Sequence, residues 1–217
     1  MKLGEQEIRR RGCLFIVSGP SGAGKTSICT PVLRQLPDIE LSVSYTTRRP
    51  RTGERDGVDY RYVDAATFDR MIAADEFAEW AEVHGNRYGT AKAAVDAALA
   101  AGKDLLLDID TQGAEQIKRN YPYPTAVMVF LLPPSRERLA SRLVGRATED
   151  SESVRTRLRN ACREIAAVGR YDYAIVNEDL ESAVQALMSI IRGERLKVAH
   201  IVDEDLARII IAFEPVS

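Results

Sequence analysis

Short apolar runs alternate with amphipathic stretches along most of the chain. Four runs rich in strand-forming residues predict buried strands: CLFIVS (13–18), DLLLDI (104–109), TAVMVFLL (125–132) and DYAIVN (172–177). Apolar residues recur every three to four positions after the first run up to Pro37, and this periodicity predicts a helix there. It predicts further helices over roughly 111–119, 135–146, 151–168 and 179–197. Buried strands that alternate with helices are typical of a parallel sheet covered on both faces, so the sequence predicts a three-layer α/β/α core.

Residues 45–103 fit this alternation poorly. They are polar and rich in turn residues, with weak strands predicted near 59–63 and 78–83 and helices near 65–74 and 90–101. We interpret the segment as a subdomain inserted into one domain that spans the chain. Gly89 and Gly102 lie near the ends of the last predicted helix and are either hinges or simple turns and caps. The tail, residues 198–217, is compatible with helix or strand, and the sequence indicates no role for it.

The composition excludes several classes of protein. Of the 217 residues, 45% are hydrophobic and 29% charged, with a formal net charge of −2, so we expect a packed core and no general affinity for nucleic acid. No apolar run reaches transmembrane length, and the opening MKLGEQEIRRRG lacks the apolar stretch of a signal peptide. Only two histidines are present, which argues against a multi-histidine metal site. The cysteines, an odd number without CxxC pairing, predict buried free thiols in a reducing, cytoplasmic compartment: Cys13, Cys29 and Cys162.

The segment GPSGAGKT (19–26) follows the first apolar run and opens a helix. It fits G-x-x-x-x-G-K-[ST], in which glycines let successive backbone N–H groups face phosphate oxygens and the helix N-terminus adds its dipole. Lys25 is expected to reach the β- and γ-phosphates of a nucleoside triphosphate, and the Thr26 hydroxyl to coordinate Mg²⁺. The alternative is a glycine turn beside an unrelated lysine; the strand before and the helix after favour the phosphate loop. The expected triphosphate-binding residues are Gly19, Pro20, Ser21, Gly22, Ala23, Gly24, Lys25, Thr26 and Ser27.

A phosphate loop serves either hydrolysis or transfer to a second substrate. No NKxD-like base-reading motif of a GTPase is present, whereas SVSYTTRRPR (42–51) offers arginine forks on either side of Pro50. The planar guanidinium groups of Arg48 and Arg51 match a phosphate bidentately, although a single loop arginine is more often simply solvated. The sequence therefore favours a kinase whose acceptor carries a phosphate.

Two carboxylates end the predicted central strand at its carboxyl edge, where open α/β sheets bind ligands. Asp108 and Asp110 are two positions apart, so both side chains are expected on one face. Asp108 is our candidate for orienting hydrated Mg²⁺, or else it caps the following helix.

Arginine dominates residues 136–163, and Arg138, Arg142 and Arg146 recur every four positions along a predicted helix. This pattern fits a solvated helix face. It also fits a lid whose cations face transferred phosphates, because phosphoryl transfer develops charge on the equatorial oxygens.

Taken together, six segments resemble guanylate kinase in sequence, order and spacing over roughly residues 12–197. They are SGPSGAGKT, SVSYTTRRPRTGERDGVDY, EFAEWAEVHGNRYGT, LDIDTQGA, LPPS and YDYAIVNEDL. The resemblance implies transfer of the γ-phosphoryl group of ATP to GMP (and dGMP) to give ADP and GDP, with Mg²⁺ accompanying ATP. It implies these nucleotides as partners, without nucleic acid or membrane, and does not decide between a monomer and a homo-oligomer. It also implies a P-loop core (12–44, 104–135 and 158–197), a GMP-binding insertion (45–103) and a small lid (136–157).

The resemblance also assigns residues. The GMP phosphate would be held by Arg48, Arg51, Tyr60 and Tyr88, and the guanine read by Ser44, Glu79, Thr90 and Asp110, with Asp108 at the same side of the site. The catalytic cations would be Lys25, Arg48, Arg142, Arg146 and Arg157. Arg142 and Arg146 would also contact ATP, Asn177 would lie near the adenine, and the metal would be held by Thr26 and, through water, Asp108. Ala147 stands where the family's lid often has glycine, which affects the expected flexibility of the lid.

The proposed base readers suit guanine chemically. Its Watson–Crick edge offers donors at N1 and N2 and an acceptor at O6. Carboxylates at Glu79 and Asp110 can accept from the donors, and hydroxyls at Ser44 and Thr90 can donate to O6. Two rival interpretations remain: a non-catalytic guanylate-kinase-like binding module, which would lack a working P-loop, and a related kinase for another phosphorylated acceptor such as a ribose bisphosphate.

Overall fold

The computed structural model of the chain describes residues 2–3, 6–83, 85–144 and 151–213. Its strands are β1 (Lys2–Leu3), β2 (Gln6–Glu7), β3 (Leu14–Ser18), β4 (Ile39–Leu41), β5 (Tyr45–Thr46), β6 (Arg61–Tyr62), β7 (Phe77–Val83), β8 (Asn86–Ala91), β9 (Asp104–Asp108), β10 (Ala126–Leu132) and β11 (Tyr173–Val176). Its α-helices are α1 (Lys25–Gln35), α2 (Ala65–Ala73), α3 (Lys92–Ala100), α4 (Thr111–Asn120), α5 (Arg136–Val144), α6 (Ser151–Ile165), α7 (Leu180–Arg195) and α8 (Asp203–Ala212). Two short 3-10 helices lie at Val168–Arg170 and Val198–His200.

The core is a five-stranded parallel sheet in the order β11-β10-β3-β9-β4. Successive residues of β3 point to opposite faces: Phe15 and Val17 pack with α1 and α7, whereas Leu14 and Ile16 pack with α3 and α4. Both faces are therefore buried, as the continuous apolar runs predicted, and the three-layer α/β/α fold is confirmed. The fifth strand, β4, was not predicted, because it has only three residues at the sheet edge and two of them are exposed.

The insertion contains its own four-stranded sheet, in the order β6-β5-β8-β7. The predicted helix over 90–101 begins too early, since residues 86–91 form β8 and the helix starts at Lys92. Gly89 is therefore within a strand and not at a helix end. A Cβ there would lie 2.8 Å from the Phe77 ring, so this glycine permits close packing. Gly102 follows α3 in the left-handed region with φ 69°, as expected of a helix-ending turn.

The described part of the tail contains a helix, α8, which packs beside residues 9–11. The backbone N–H of Arg11 donates to the carbonyl of His200 at 2.7 Å, and that of Val202 donates to the carbonyl of Arg9 at 3.2 Å. The Arg9 side chain in turn donates from Nε to Asp205 Oδ2 at 3.2 Å. These contacts join residues 9–11 to α8 near the amino end of β3, whereas the P-loop follows its carboxyl end.

Two of the three predicted buried thiols are buried. Cys13 and Cys29 lie in the core, and burial raises the pKa of both thiols well above their ordinary range. Cys162 is exposed, so the prediction is wrong there: it lies on the solvent side of α6, next to the buried Ala161. Within the described ranges, no helix is long and apolar enough to cross a membrane.

Candidate active site

The phosphate loop joins the end of β3 to the start of α1 at the carboxyl edge of the sheet. Gly24 is the residue before α1 and has φ 96°, in the left-handed region that favours glycine. A Cβ at this position would lie 2.5 Å from Nδ2 of Asn177, so only glycine fits here on both conformational and steric grounds. The loop is thus shaped to present backbone N–H groups at a helix N-terminus, which is a site for phosphate.

The two functional side chains of the loop are already held. Lys25 donates from Nζ to the carbonyl of Gly19 at 2.9 Å, and the Thr26 hydroxyl donates to Oδ2 of Asp108 at 2.7 Å. Asp108 is the last residue of β9, next to β3 in the sheet. The structure therefore brings together the predicted loop residues and the predicted metal-orienting carboxylate.

The chemistry of this pair fits Mg²⁺. Magnesium takes hard oxygen ligands, keeps several waters and shares its sites with substrate phosphates, so it needs only one or two protein oxygens. Thr26 Oγ1 and Asp108 Oδ2 are two such oxygens within 2.7 Å of each other. Among the described residues no group of three or more His, Cys, Asp or Glu side chains is arranged to hold a metal ion, which leaves this hydroxyl–carboxylate pair as the candidate.

Asn177 and Arg142 both donate hydrogen bonds to the backbone of the P-loop. Asn177 is buried and donates from Nδ2 to the carbonyl of Ala23 at 2.7 Å. Arg142, on α5, donates from Nη1 to the same carbonyl at 3.3 Å and from Nη2 to the carbonyl of Asn177 at 3.1 Å. Both predicted ATP contacts thus lie against the loop backbone, where they fix its shape. Arg146 and Ala147 lie outside the described residues.

The residues expected to hold the acceptor phosphate cluster on the insertion. The Arg48 guanidinium lies 5.2 Å from the centroid of the Tyr60 ring, and the Tyr60 and Tyr88 rings meet edge to face at 5.9 Å. Burial raises the pKa of Tyr60, so its hydroxyl is a neutral donor at physiological pH. Arg51 is exposed, in the same turn.

Glu54 belongs to this cluster and was missed by the sequence argument. Its carboxylate accepts from both Nη atoms of Arg48, from the Tyr62 hydroxyl at 2.8 Å and from the backbone N–H of Arg51 at 2.7 Å. These donors, led by Arg48, lower the pKa of Glu54 to about 2. Its position three residues after Arg51 is the one feature of the sequence that could have indicated a contact with this turn.

The expected base readers meet where the insertion contacts the core. Glu79 is 3% exposed and accepts a 2.7 Å hydrogen bond from the Thr90 hydroxyl. The single proton of Thr90 is therefore directed at Glu79 and not, as predicted, at guanine O6. Ser44 precedes β5 and accepts through its carbonyl from the backbone N–H of Arg61. Burial raises the pKa of Glu79 to about 7, with a smaller contribution from the charge of Asp110.

Asp110 is the N-cap residue of α4. Its Oδ1 accepts from the backbone N–H of Gly113 at 2.8 Å, so Asp110, and not Asp108, caps α4. Its Oδ2 accepts from Gln112 Nε2 at 3.1 Å at the cleft surface.

A cleft of about 310 Å³ joins the two halves of the site. Its lining combines the P-loop, the end of β7, the start of α4 and helix α6: Gly19, Ser21, Lys25, Glu82, Val83, Asp110, Gln112, Arg157, Asn160, Ala161 and Glu164. Lys25, Asp110 and Arg157, predicted from three separate stretches of sequence, therefore face one space. A cation on either side of that space suits a transferred phosphoryl group.

Comparison with known proteins agrees with this geometry. Residues 11–194 match the family model described as guanylate kinase. The guanylate kinase of Syntrophotalea carbinolica is 52% identical over 197 residues, which are 91% of this chain and 93% of that protein. That of Geobacter sulfurreducens is 47% identical over 196 residues, 90% of this chain and 96% of that protein. The crystal structure of guanylate kinase from Anaplasma phagocytophilum aligns with a TM-score of 0.80 at 32% identity, covering 97% of this chain and 99% of that one.

Proposed function

The chain belongs to the guanylate kinase family, and on that premise we propose how its own residues carry out the reaction. It is an ATP-dependent guanylate kinase that transfers the γ-phosphoryl group of ATP to GMP and releases ADP and GDP. The alternative, a non-catalytic binding module, is not favoured, because the P-loop with its lysine is intact and the curated relatives are guanylate kinases.

The observation that carries the proposed residue roles is the shared cleft, in which Lys25, Asp110 and Arg157 face one space. On the donor side, the P-loop backbone and Lys25 hold the β- and γ-phosphates of ATP. Thr26 would coordinate Mg²⁺ directly and Asp108 would hold it through water. The ion would neutralise charge between the β- and γ-phosphates.

On the acceptor side, the phosphate of GMP binds to Arg48, Arg51, Tyr60 and Tyr88. Glu54 holds Arg48 in place and is not itself a phosphate ligand, because its charge would repel the substrate. Glu79 and Asp110 accept from guanine N1–H and the 2-amino group, and Ser44 donates to O6. Thr90 orients Glu79, as its hydrogen bond indicates. Adenine presents an unprotonated N1, itself an acceptor, to this carboxylate pair, so AMP would place an acceptor against an acceptor.

Transfer itself needs position and charge more than proton chemistry. An oxygen of the GMP phosphate attacks the γ-phosphorus in line as the bond to the β–γ bridging oxygen breaks, and ADP leaves. Charge on the equatorial oxygens is stabilised by Lys25 and by the lid arginines Arg142, Arg146 and Arg157. The acceptor phosphate is already ionised, so no general base is required.

These roles divide the domain as the motifs suggest. We propose that residues 45–103 act as the GMP-binding insertion and 136–157 as the lid over ATP, with the remaining segments as the core. A cytoplasmic location is proposed from the free thiols, two of which are buried without partners for disulfides.

Replacing the P-loop lysine tests the catalytic assignment. In Lys25→Ala, kcat should fall by about two to three orders of magnitude, since the charge acts most strongly as the phosphoryl group moves. Lys103→Ala is the matched control. Lys103 is exposed and pairs with Glu40 at 2.6 Å, at the amino end of the sheet and away from the P-loop. Near-normal turnover in Lys25→Ala, measured with ADP release coupled to NADH oxidation, would contradict the proposal.

A further inference from the structure

One face of α4 lies along strand β7 of the insertion. Gly113, Gln116 and Asn120 are spaced by three and four residues, so they share one side of the helix. Strand β7 is the outer strand of its sheet and pairs only with β8 within that sheet. The backbone groups on its other side therefore need partners from outside the sheet.

Two amide side chains of α4 supply those partners. Gln116 Oε1 accepts from the backbone N–H of Trp80 at 3.2 Å, and Gln116 Nε2 donates to the carbonyl of Trp80 at 2.7 Å. One turn further along, Asn120 Nδ2 donates to the carbonyl of Ala78 at 2.8 Å. A primary amide that both donates to and accepts from one residue imitates the pairing of a neighbouring strand, so it fixes β7 along its length as well as across it.

Glu79 lies between these two contacts. Its carboxylate is buried against the first turn of α4, so closely that a Cβ at Gly113 would lie 2.4 Å from Glu79 Oε2. Asp110 caps the same turn through the backbone N–H of Gly113. The first turn of α4 therefore holds the Asp110 carboxylate directly. The position of the Glu79 carboxylate depends on the position of β7 relative to α4.

We propose that Gln116 is a positioning residue for guanine selectivity: its paired hydrogen bonds to Trp80 fix β7 on α4 and so set the spacing between the Glu79 and Asp110 carboxylates. The inference rests on the proposed role of these two carboxylates as the guanine readers. Two donors on one base edge require two acceptors at a matching distance, so a small slip of β7 weakens the contact with one of them.

The substitution Gln116→Met keeps the length of the side chain and removes both hydrogen bonds to Trp80. We expect KM for GMP to rise by about five- to tenfold while kcat changes by less than about twofold. Inosine monophosphate lacks the 2-amino group and loses less from misplaced acceptors. The ratio of kcat/KM for GMP to that for inosine monophosphate should therefore fall by about fivefold.

Tyr121→Phe is the matched control, because it removes a 2.7 Å hydrogen bond from the end of the same helix to Asp96 Oδ1, away from the carboxylates. It should leave the acceptor ratio unchanged. Gln116→Glu is a second variant: it keeps an acceptor for the Trp80 N–H, loses the donor, and should lower the ratio in the same way. An unchanged ratio of kcat/KM for GMP to that for inosine monophosphate in either Gln116 variant would overturn the inference. If kcat/KM falls equally with both acceptors and Tm also falls, Gln116 has only a structural role.

Glu79→Gln separates this inference from the function it rests on. If Glu79→Gln leaves kcat/KM near the wild-type value for both GMP and inosine monophosphate, the assignment of Glu79 as a base reader is wrong. If Glu79→Gln lowers kcat/KM for GMP and the Gln116 variants leave the ratio unchanged, Glu79 remains a base reader and the positioning role of Gln116 is wrong.

Discussion

Arg48 meets Glu54 in a two-pronged ion pair, with Nη1 3.0 Å from Oε2 and Nη2 2.9 Å from Oε1. Both side chains are largely shielded, 13% and 20% exposed, in a turn that otherwise faces solvent. The Tyr62 hydroxyl and the Arg51 backbone N–H complete the set of donors to the same carboxylate. The Arg48 guanidinium is therefore held in one orientation. In the proposed role of Arg48, this orientation would lower the entropic cost of binding the acceptor phosphate.

Removing the charge of Glu54 tests this orientation. In Glu54→Gln one prong of the Arg48 pair is lost, and KM for GMP should rise by about tenfold with little change in KM for ATP. Initial-rate kinetics with each substrate varied separately measure both constants. The control is Glu40→Gln, which alters an exposed pair with Lys103 at the amino end of the core sheet. Equal KM values for GMP in the two variants would exclude an orienting role.

The ionised carboxylate of Glu79 should lower the free energy of unfolding, because it is buried. Because burial raises the pKa of its carboxyl from 4.5 to about 7, the folded state binds more protons than the unfolded state between these pH values. The contribution of the carboxyl to folding is therefore present below pH 4.5 and lost as the pH rises to about 7. We predict that Glu79→Gln raises the free energy of unfolding at pH 8, by on the order of 3 kcal/mol, and changes it little at pH 4.5.

Urea unfolding of the ligand-free protein at the two pH values measures this difference. Glu82→Gln, an exposed carboxylate on the same strand, is the control and should show no comparable gain. A Glu79→Gln variant whose gain is the same at both pH values would show that ionisation of Glu79 is not the cause.

The metal assignment is tested at Asp108. In Asp108→Asn the carboxylate that faces Thr26 loses its charge, so the Mg²⁺ concentration for half-maximal rate should rise by about tenfold or more. The rate is measured against Mg²⁺ at a fixed, low ATP concentration. Asp38→Asn, an exposed carboxylate before β4, is the control. An unchanged Mg²⁺ requirement would leave Asp108 without a role at the metal.

The sequence predicted the fold where the physical signal was local and strong. The apolar runs of β3, β9 and β10 are almost entirely buried, so their pattern differs from that of surface segments. Strand β11 lies at the edge of the sheet, with Ile175 buried and Val176 exposed, yet its apolar run still predicted a strand. The P-loop spacing located Lys25 and Thr26 because glycine, lysine and hydroxyl positions there are fixed by the backbone path.

The rest depends on contacts between distant segments. Strand β8 is polar and half exposed, so its pattern resembled the start of the helix that follows it. The role of Thr90 could not be read from its type, since one hydroxyl suits either guanine O6 or a buried carboxylate. The choice was made by the position of Glu79 on the neighbouring strand. Gln116 gave no signal, because its partner is a backbone in the insertion 36 residues earlier.

We expect this cleft to transfer the γ-phosphoryl group of ATP to an acceptor selected by its guanine edge. The most direct measurement is a coupled assay of ADP formation with Mg²⁺ and ATP and, in turn, GMP, dGMP, AMP, CMP and UMP as acceptors. The account predicts rapid turnover of GMP, slower turnover of dGMP, and kcat/KM for AMP, CMP and UMP lower than for GMP by about three orders of magnitude or more. Comparable kcat/KM for AMP and GMP would contradict it.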